Sequence, residues 1–329
     1  MLEHGGELYR ASEDYAIPLN EWLDLSTGIN PNAWPVPNEL PATLWSQLPQ
    51  QDDGLITAAQ SYYQCESLIA VAGSQAAIQT LPTLRKPSRV GILSPAYAEH
   101  AYAWQQAGHE VVSISSDTVA NLINQLDVLI IINPNNPTAE HFSCEQLLAW
   151  HQQLVVRNAW LIIDEAFIDS NPEHSLAKYC PKQGLIVLRS LGKFFGLAGL
   201  RVGFVLAEQT LLNQIAERLG PWPIAHASRY IAQQALLDTI WQQQCRIDLV
   251  SKGKRLKQLL SDFGLKPSGS CDLFQWAKTD KAQSYHQQLA QQGILTRVFD
   301  SPASLRFGLP KTEHDWQRLQ KALQQLDLS

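Results

Sequence analysis

Several features are scarce or missing in this sequence of 329 residues, and each absence excludes a class of protein. Charged residues make up only 17 %, the formal net charge is −6, and no long basic stretch occurs. The sequence therefore lacks the basic footprint of a nucleic-acid-binding protein. The apolar run Val128–Ile132 is far shorter than the roughly 20 residues that span a bilayer. We expect neither a nucleic-acid nor a membrane partner.

Cysteines are few and scattered, which bears on disulfides, metals and compartment. No C-x-x-C pair occurs among Cys65, Cys144, Cys180, Cys245 and Cys271. An odd number of dispersed cysteines in a long chain suits a reducing compartment and argues against a disulfide scaffold and a zinc site. The segment Met1–Gly6 has no positive region followed by an apolar stretch, so no secretory signal is expected. These observations predict a cytoplasmic protein without a metal site.

The distribution of apolar residues predicts a globular α/β protein. Hydrophobic residues make up 45 % of the chain, enough for a large core. Residues 1–35 are rich in Gly, Pro, Asn and Ser, and we expect an extended arm with turns there. Predicted strands, separated by helical patterns, are Leu68–Val71, Arg89–Leu93, Glu110–Ile114, Asp127–Ile132, Trp160–Ile163 and Leu185–Leu188. Such alternation is typical of a mostly parallel sheet flanked by helices, and Val202–Leu206 could add an antiparallel strand.

The segment Gly220–Pro223 interrupts the helical pattern, and we place a domain boundary just after it. Residues 226–262 are predicted as one long helix. The remaining residues carry shorter predicted strands, Leu273–Trp276 and Leu305–Phe307, and a closing helix from Glu313. The predicted organisation is therefore an arm (1–35), a large domain (36–225) and a smaller α+β domain (226–329).

The run Ser190–Gly203 carries the strongest chemical signal. Lys193 lies between an apolar stretch and a glycine-broken loop, Ser190 precedes it, and Arg201 follows it. A cofactor that has an aldehyde and a phosphate needs such a set: an amine to condense with the aldehyde, and a hydroxyl and a guanidinium to hold the phosphate. The alternative is that Lys193 is a surface lysine beside a turn.

Other motifs follow predicted strands, where open parallel sheets place ligands. Gly73, Ser74 and Gln75 begin a helix whose free amides favour a phosphate, although Ser74 could be an ordinary N-cap. Tyr97 follows the next strand and could lie flat on a pyridine ring or simply pack in a loop.

The last two motifs follow buried strands. Asn136, in the loop Asn133–Thr138, can donate to a phenolic oxygen. Asp164 follows an apolar strand, so it needs a partner, and a pyridinium N–H is a suitable one. A metal-binding or Walker-B-type acid is the rival interpretation of Asp164, but no G-x-x-x-x-G-K-[ST] motif supports it.

Together these segments resemble the pyridoxal-phosphate-dependent enzymes of fold type I, in the class I/II aminotransferase group. The loop Asn133–Thr138 and the Lys193 run are similar to the histidinol-phosphate aminotransferase branch. The resemblance covers roughly residues 25 to 310. It implies a large domain with a mostly parallel seven-stranded sheet, a smaller α+β C-terminal domain, pyridoxal 5'-phosphate as cofactor, and a homodimer.

The resemblance also implies roles for individual residues. It assigns Lys193 to the aldehyde, Asp164 to the ring nitrogen, and Asn136 to the phenolic oxygen. It places Tyr97 on the ring, and it assigns the phosphate to Ser74, Gln75, Ser190 and Arg201. Arg306 would bind the substrate carboxylate. His4, Asn30 and Arg297 are further candidates for substrate contacts, including contacts to a phosphate.

Three features pull the resemblance toward a cobalamin-pathway decarboxylase of this branch: His4–Gly6 followed by Leu23–Pro31, the Lys193 run, and Phe167 where many aminotransferases have tyrosine. The implied reaction is decarboxylation of L-threonine O-3-phosphate, a small phosphorylated amino acid, to (R)-1-amino-2-propanol O-phosphate. The alternatives are a histidinol-phosphate-like aminotransferase that uses 2-oxoglutarate and a non-catalytic module that binds the cofactor.

Overall fold

The computed structural model describes residues 4–50 and 52–326. The α-helices are α1 (Leu8–Tyr15), α2 (Thr43–Ser46), α3 (Leu55–Tyr63), α4 (Gly73–Thr80), α5 (Ala98–Gln106), α6 (Val119–Leu122), α7 (Cys144–Val155), α8 (Gln209–Leu219), α9 (His226–Leu237), α10 (Thr239–Asp262), α11 (Ala282–Ala290) and α12 (Glu313–Gln324). The strands are β1 (Leu23–Asp24), β2 (Leu68–Val71), β3 (Arg89–Leu93), β4 (Glu110–Ile114), β5 (Val128–Ile132), β6 (Trp160–Asp164), β7 (Leu185–Ser190), β8 (Gly203–Leu206), β9 (Gly269–Cys271), β10 (Phe274–Lys278), β11 (Ile294–Leu295), β12 (Arg297–Asp300) and β13 (Ala303–Gly308).

The chain divides into two compact units. The large unit comprises Ala33–Asn136 and His141–Gln243, and the small unit comprises the described residues up to Asn32, Pro137–Glu140 and those from Gln244 onward. The predicted division at residues 35 and 225 stays a prediction. No helix in the described part of the chain has both the length and the apolar character needed to cross a membrane.

The large unit is built on a seven-stranded sheet in the order β2-β8-β7-β6-β5-β3-β4. Neighbouring strands are parallel except at β8, which runs antiparallel to both β2 and β7. All residues of β5 are buried, because helices cover a parallel sheet on both faces. The predicted seven-stranded, mostly parallel sheet is therefore confirmed, including the antiparallel strand at 203–206.

The small unit contains the antiparallel sheet β12-β13-β10-β9 and a separate parallel pair, β1 and β11. Its closing helix α12 begins after a capping box, in which the Thr312 hydroxyl accepts from the Asp315 N–H and the Asp315 carboxylate accepts from the Thr312 N–H. The predicted start of this helix at Glu313 is confirmed.

Two expectations about helices are wrong. Residues 226–262 form two helices, because Asp238 leaves the helical conformation and its carboxylate accepts from the Trp241 N–H at 3.0 Å, which caps α10. The N-terminal arm is not extended throughout, since Leu8–Tyr15 is helical. This stretch has no proline or glycine, and Arg10 reaches Glu7 at 3.5 Å and Asp14 at 3.6 Å along the helix.

A buried ionic cluster joins the ends of β6 and β7. Arg189 is 1 % exposed and donates to Glu165 at 2.8 Å, to the Ser175 hydroxyl at 2.8 Å, and to Asp169. Its guanidinium lies over the Tyr63 ring, 4.6 Å from the centroid. Burial alone would lower the pKa of Arg189, but Asp169 and Glu165 outweigh it and raise the pKa above its usual value. Arg189 therefore stays charged.

We expect Arg189→Met to lower the free energy of unfolding by about 3–5 kcal/mol, because it leaves two buried carboxylates without a counter-charge. The matched control is Arg255→Met, which removes an exposed pair with Glu313 and should cost at most about 1 kcal/mol. Urea denaturation of both variants measures the difference, and equal losses would contradict the prediction.

Candidate active site

Motif residues from the sequence lie at the carboxyl edge of the seven-stranded sheet. Ile132, the last residue of β5, pairs with Asp164, the last residue of β6, which in turn pairs with Leu188 of β7. The loops that carry Asn136 and Lys193 leave the sheet immediately after β5 and β7. Three neighbouring parallel strands therefore present an amide, a carboxylate and an amine at one edge.

A glycine junction brings a fourth group to this edge. Gly203 pairs with Val71 on one side and with Ser190 on the other. A Cβ at Gly203 would lie 2.6 Å from the backbone nitrogen of Ser74 and 2.7 Å from the carbonyl oxygen of Arg189. Because no side chain is present, the start of α4 can approach the end of β7.

The start of α4 forms a cradle suited to a phosphate. No side chain caps the first turn of the helix, which begins at Gly73 with φ +71°. A Cβ at Gly73 would lie 2.7 Å from Nη2 of Arg201, so the guanidinium packs against the bare backbone. Free helix amides, the positive end of the helix dipole and a guanidinium favour a phosphate dianion.

Ser190 ends β7 beside this cradle. Its hydroxyl accepts from the Gly192 N–H at 3.2 Å, which fixes the turn that leads to Lys193. The side chains that follow Lys193 anchor the segment, since Phe194 and Phe195 are fully buried and pack on Trp241 with ring centroids 5.6 and 5.7 Å apart. Lys193 itself is half-buried, and its Nζ lies 5.5 Å from the centroid of the Phe167 ring.

Asp164 has a buried partner that the sequence analysis missed. The carboxylate is 3 % exposed; its Oδ2 lies 3.0 Å from Nε2 of His100, and its Oδ1 accepts from the Ala166 N–H at 3.1 Å. His100 is 1 % exposed and lies in the first turn of α5. The only available signal was its position three residues after Tyr97 at a helix start, which places both rings on one face.

Tyr97 is held by a polar pair. Its hydroxyl donates to Oε1 of Gln75 at 3.3 Å, and Nε2 of Gln75 donates to Glu99 at 2.7 Å. Burial raises the pKa of Tyr97 to about 12, and the charges of Glu99 and Asp164 add to the shift. The tyrosine is therefore neutral at physiological pH. The side chain of Gln75 is engaged here, and its assignment to the phosphate stays a prediction.

Side-chain hydrogen bonds anchor the asparagine loop after β5. Asn133 donates to the carbonyl of Phe142 at 3.1 Å and accepts from the Phe142 N–H at 2.9 Å. Asn135 donates to the carbonyl of Pro95 at 2.8 Å. These two amides fix the loop, and Asn136 is the member that is partly exposed. Its assignment to a phenolic oxygen stays a prediction.

The predicted substrate residues all belong to the small unit. Arg297 of β12 and Arg306 of β13 are direct cross-strand partners. Arg306 is 6 % exposed and donates from Nη2 to the carbonyl of Ser26 at 2.7 Å. Burial lowers the pKa of Arg306 to about 10, and the neighbouring Arg297 adds to that effect. Both guanidinium groups still carry their charge at neutral pH, which suits an anionic ligand.

His4 and Asn30 differ in placement. His4 and Arg297 line a cavity of about 260 Å³ in the small unit, and Nη1 of Arg297 donates to the His4 carbonyl at 3.3 Å. Asn30 is not among the lining residues; it is 3 % exposed, donates to Sγ of Cys245 at 3.2 Å and accepts from the Asn32 N–H at 3.0 Å. The structure therefore brings His4 to Arg297, and it engages Asn30 with a thiol and a backbone amide.

The donor set of the large unit fits pyridoxal phosphate. The cradle of Gly73 and Arg201 suits its phosphate, the buried Asp164 carboxylate suits a protonated ring nitrogen, and Lys193 supplies an amine. Within residues 4–50 and 52–326, no group of three or more His, Cys, Asp or Glu side chains could hold a metal ion.

Comparisons with known proteins agree with this geometry. The chain is 51 % identical to a threonine-phosphate decarboxylase of Pseudomonas aeruginosa over 98 % of this chain and 97 % of that protein. It is 35 % identical to a threonine-phosphate decarboxylase of a Sinorhizobium species over 99 % of both chains. A solved histidinol-phosphate aminotransferase from Sinorhizobium meliloti, in complex with pyridoxal-5'-phosphate, has a similar fold, with a TM-score of 0.83 at 18 % identity over 98 % of this chain and 94 % of that one.

The family model "Aminotransferase class I and II" matches residues 46–326, which include the cradle of α4, the asparagine loop, Asp164, the Lys193 turn and Arg306. This match and the near full-length similarity to the relatives above show that the chain belongs to the class I and II aminotransferase family.

Proposed function

We propose that this protein is a pyridoxal-phosphate-dependent lyase that converts L-threonine O-3-phosphate to (R)-1-amino-2-propanol O-phosphate and CO₂ for cobalamin biosynthesis. The observation that carries the proposal is the 51 % identity, over 98 % of the chain, to a protein named threonine-phosphate decarboxylase. The geometry supports it. The large unit contains the residues that fit pyridoxal phosphate, and the small unit contains two neighbouring arginines that suit a substrate with two anionic groups.

The substrate is held by charge. Its carboxylate and phosphate each suit a guanidinium, since arginine binds both groups through two parallel hydrogen bonds. We assign Arg306 to the carboxylate and Arg297, with His4, to the phosphate. A bidentate bond from Arg306 holds the carboxylate without fixing the dihedral angle of the Cα–carboxylate bond, so the remaining contacts decide which bond breaks.

The large unit supplies the groups that manage protons and electrons. Pyridoxal phosphate, when bound, would supply an aldehyde and an electron-withdrawing ring. Asp164 would hold a proton on the ring nitrogen, and His100, whose Nε2 lies 3.0 Å from the Asp164 carboxylate, would keep Asp164 in place. The amine of Lys193 is our candidate for delivering the proton that Cα needs after CO₂ leaves.

We expect the purified protein to release CO₂ from phosphothreonine without any keto acid. Lys193→Ala should lower the rate by at least about 10²-fold, the lower end of what a positioned proton donor contributes. Borohydride reduction followed by peptide mapping should find the cofactor attached at position 193 in the unmutated protein only. Lys257→Ala, which changes an exposed lysine on α10, is the matched control.

Two results would reject this assignment. Amino transfer that needs 2-oxoglutarate, without CO₂ release, would favour a histidinol-phosphate-like aminotransferase, whose fold this chain shares. Undiminished turnover in Lys193→Ala, or a protein that stays colourless with the cofactor, would remove the catalytic role of Lys193 altogether.

We further propose that the protein is a cytoplasmic homodimer. All five cysteines are free thiols, which suits a reducing compartment. In the large unit, Trp45 and Trp222 expose 71 % and 56 % of their surface, and Leu48 exposes 56 %. The segments that carry them adjoin, because His226 bonds the Gln47 carbonyl at 3.1 Å. Exposed large apolar side chains on adjoining segments suit an interface.

We expect light scattering to give twice the chain mass of 36.8 kDa. The double variant Trp45→Lys and Trp222→Lys should dissociate, because it places charges where apolar area is to be buried. Val156→Lys, at a side chain that is 79 % exposed elsewhere in the large unit, should leave the mass unchanged. A monomeric unmutated protein would contradict the proposal.

A further inference from the structure

Ser26 connects three parts of the small unit through its own few atoms. Its hydroxyl accepts from the Gly6 N–H at 2.7 Å and donates to Oδ1 of Asp24 at 2.6 Å. Its N–H donates to the same Asp24 oxygen at 2.9 Å, and its carbonyl accepts from Nη2 of Arg306 at 2.7 Å. The residue is 2 % exposed, so these bonds are shielded from water.

The N-terminal segment is fitted closely to this serine. A Cβ at Gly5 would lie 2.4 Å from the Ser26 carbonyl oxygen, so only glycine allows the approach. Gly6 has φ +85°, a conformation that glycine adopts without strain. We call residues His4, Gly5 and Gly6 the N-terminal latch. Its position is determined by backbone contact with Ser26.

Arg297 and Arg306, the two arginines proposed to bind the substrate, are both hydrogen-bonded to this part of the chain. Arg306 donates to the Ser26 carbonyl, and Arg297 donates to the His4 carbonyl at 3.3 Å. The two side chains are cross-strand partners, and like charges in that arrangement repel. Carbonyl acceptors offset part of this repulsion.

The latch also forms one wall of the cavity. His4, Gly5, Gly6 and Ser26 line it together with Arg297. Moving the latch would therefore open the cavity and remove the carbonyl that orients Arg297. Ser26 can affect substrate binding without touching the substrate, because it contacts both the N-terminal latch and Arg306.

We propose that Ser26 is a positioning residue: it fastens the N-terminal latch to the Arg306 strand and thereby sets the affinity for the anionic substrate. The inference rests on the proposed function for the identity of that substrate. The chemical steps depend on other residues, so the latch should govern substrate affinity and leave the turnover number nearly unchanged.

The test compares Ser26→Ala, Gly5→Ala and the double variant. Ser26→Ala removes the hydroxyl bonds to Gly6 and Asp24 and should raise KM for phosphothreonine by about tenfold, the effect of one to two hydrogen bonds, with kcat within about twofold. Gly5→Ala should likewise raise KM, because the added Cβ displaces the N-terminal latch. Since both changes release the same segment, their effects should not add. The KM of the double variant should exceed the higher of the two single-variant KM values by no more than about twofold.

The matched control is Ser304→Ala. Ser304 is fully buried in the same sheet and its hydroxyl donates to the Pro302 carbonyl at 2.7 Å, but it contacts neither the latch nor the arginines through that bond. This variant reports what loss of a buried serine hydroxyl costs in general, and we expect its KM to match that of the unmutated protein.

Amide hydrogen exchange supplies a readout without turnover. Phosphothreonine, or inorganic phosphate at higher concentration, should slow exchange in a peptide that contains Gly6 in the unmutated protein but not in Ser26→Ala. Three results would overturn the proposal. They are an unchanged KM in both single variants, a loss in kcat as large as the rise in KM, and an exchange rate at Gly6 that does not change when the ligand is added to the unmutated protein. Failure of the proposed function is distinguishable, because it appears as absent CO₂ release in the unmutated protein while phosphate still protects Gly6.

Discussion

The close approach at Gly203 is the constraint on which the cofactor site depends. This residue lies between β2 and β7 in the sheet, and a single added carbon would collide with the Ser74 nitrogen and the Arg189 carbonyl. Because that carbon is absent, the uncapped start of α4 lies beside the end of β7. The start of α4, which is predicted to bind the phosphate, and the turn that carries Lys193 are thus positioned by regular secondary structure rather than by a long loop.

Two consecutive acids at the end of β6 show how the fold manages buried charge next to this site. Asp164 pairs with His100, and Glu165 pairs with Arg189. Adjacent residues at a strand end point to opposite sides, so one carboxylate can serve the site while the other ties β6 to β7. The His100 contact gives the buried Asp164 carboxylate a polar partner in place of water.

Much of this arrangement could be predicted from local sequence, and the exceptions have a common cause. The strands of the large unit are short apolar runs, and the Asn136, Asp164 and Lys193 motifs directly follow three of them, so their convergence was predictable. His100 carries no motif of its own, and its partner is far away in sequence. The same holds for Asn30 with Cys245 and for Ser26 with Arg306. Likewise, the break at Asp238 depends on a cap that a periodic pattern does not reveal.

The two arginines proposed to bind the substrate concentrate positive charge in the small unit. Arg297 and Arg306 face each other across two strands, and their guanidinium groups lie over the rings of Phe299 and Phe274 at 5.3 and 5.2 Å. Aromatic faces and backbone carbonyls stabilise charges that would otherwise repel, so the positive potential exists before any ligand arrives. In the proposed reaction, such a site would select the substrate by its two anionic groups, and the choice of the bond that breaks at Cα would rest with other contacts.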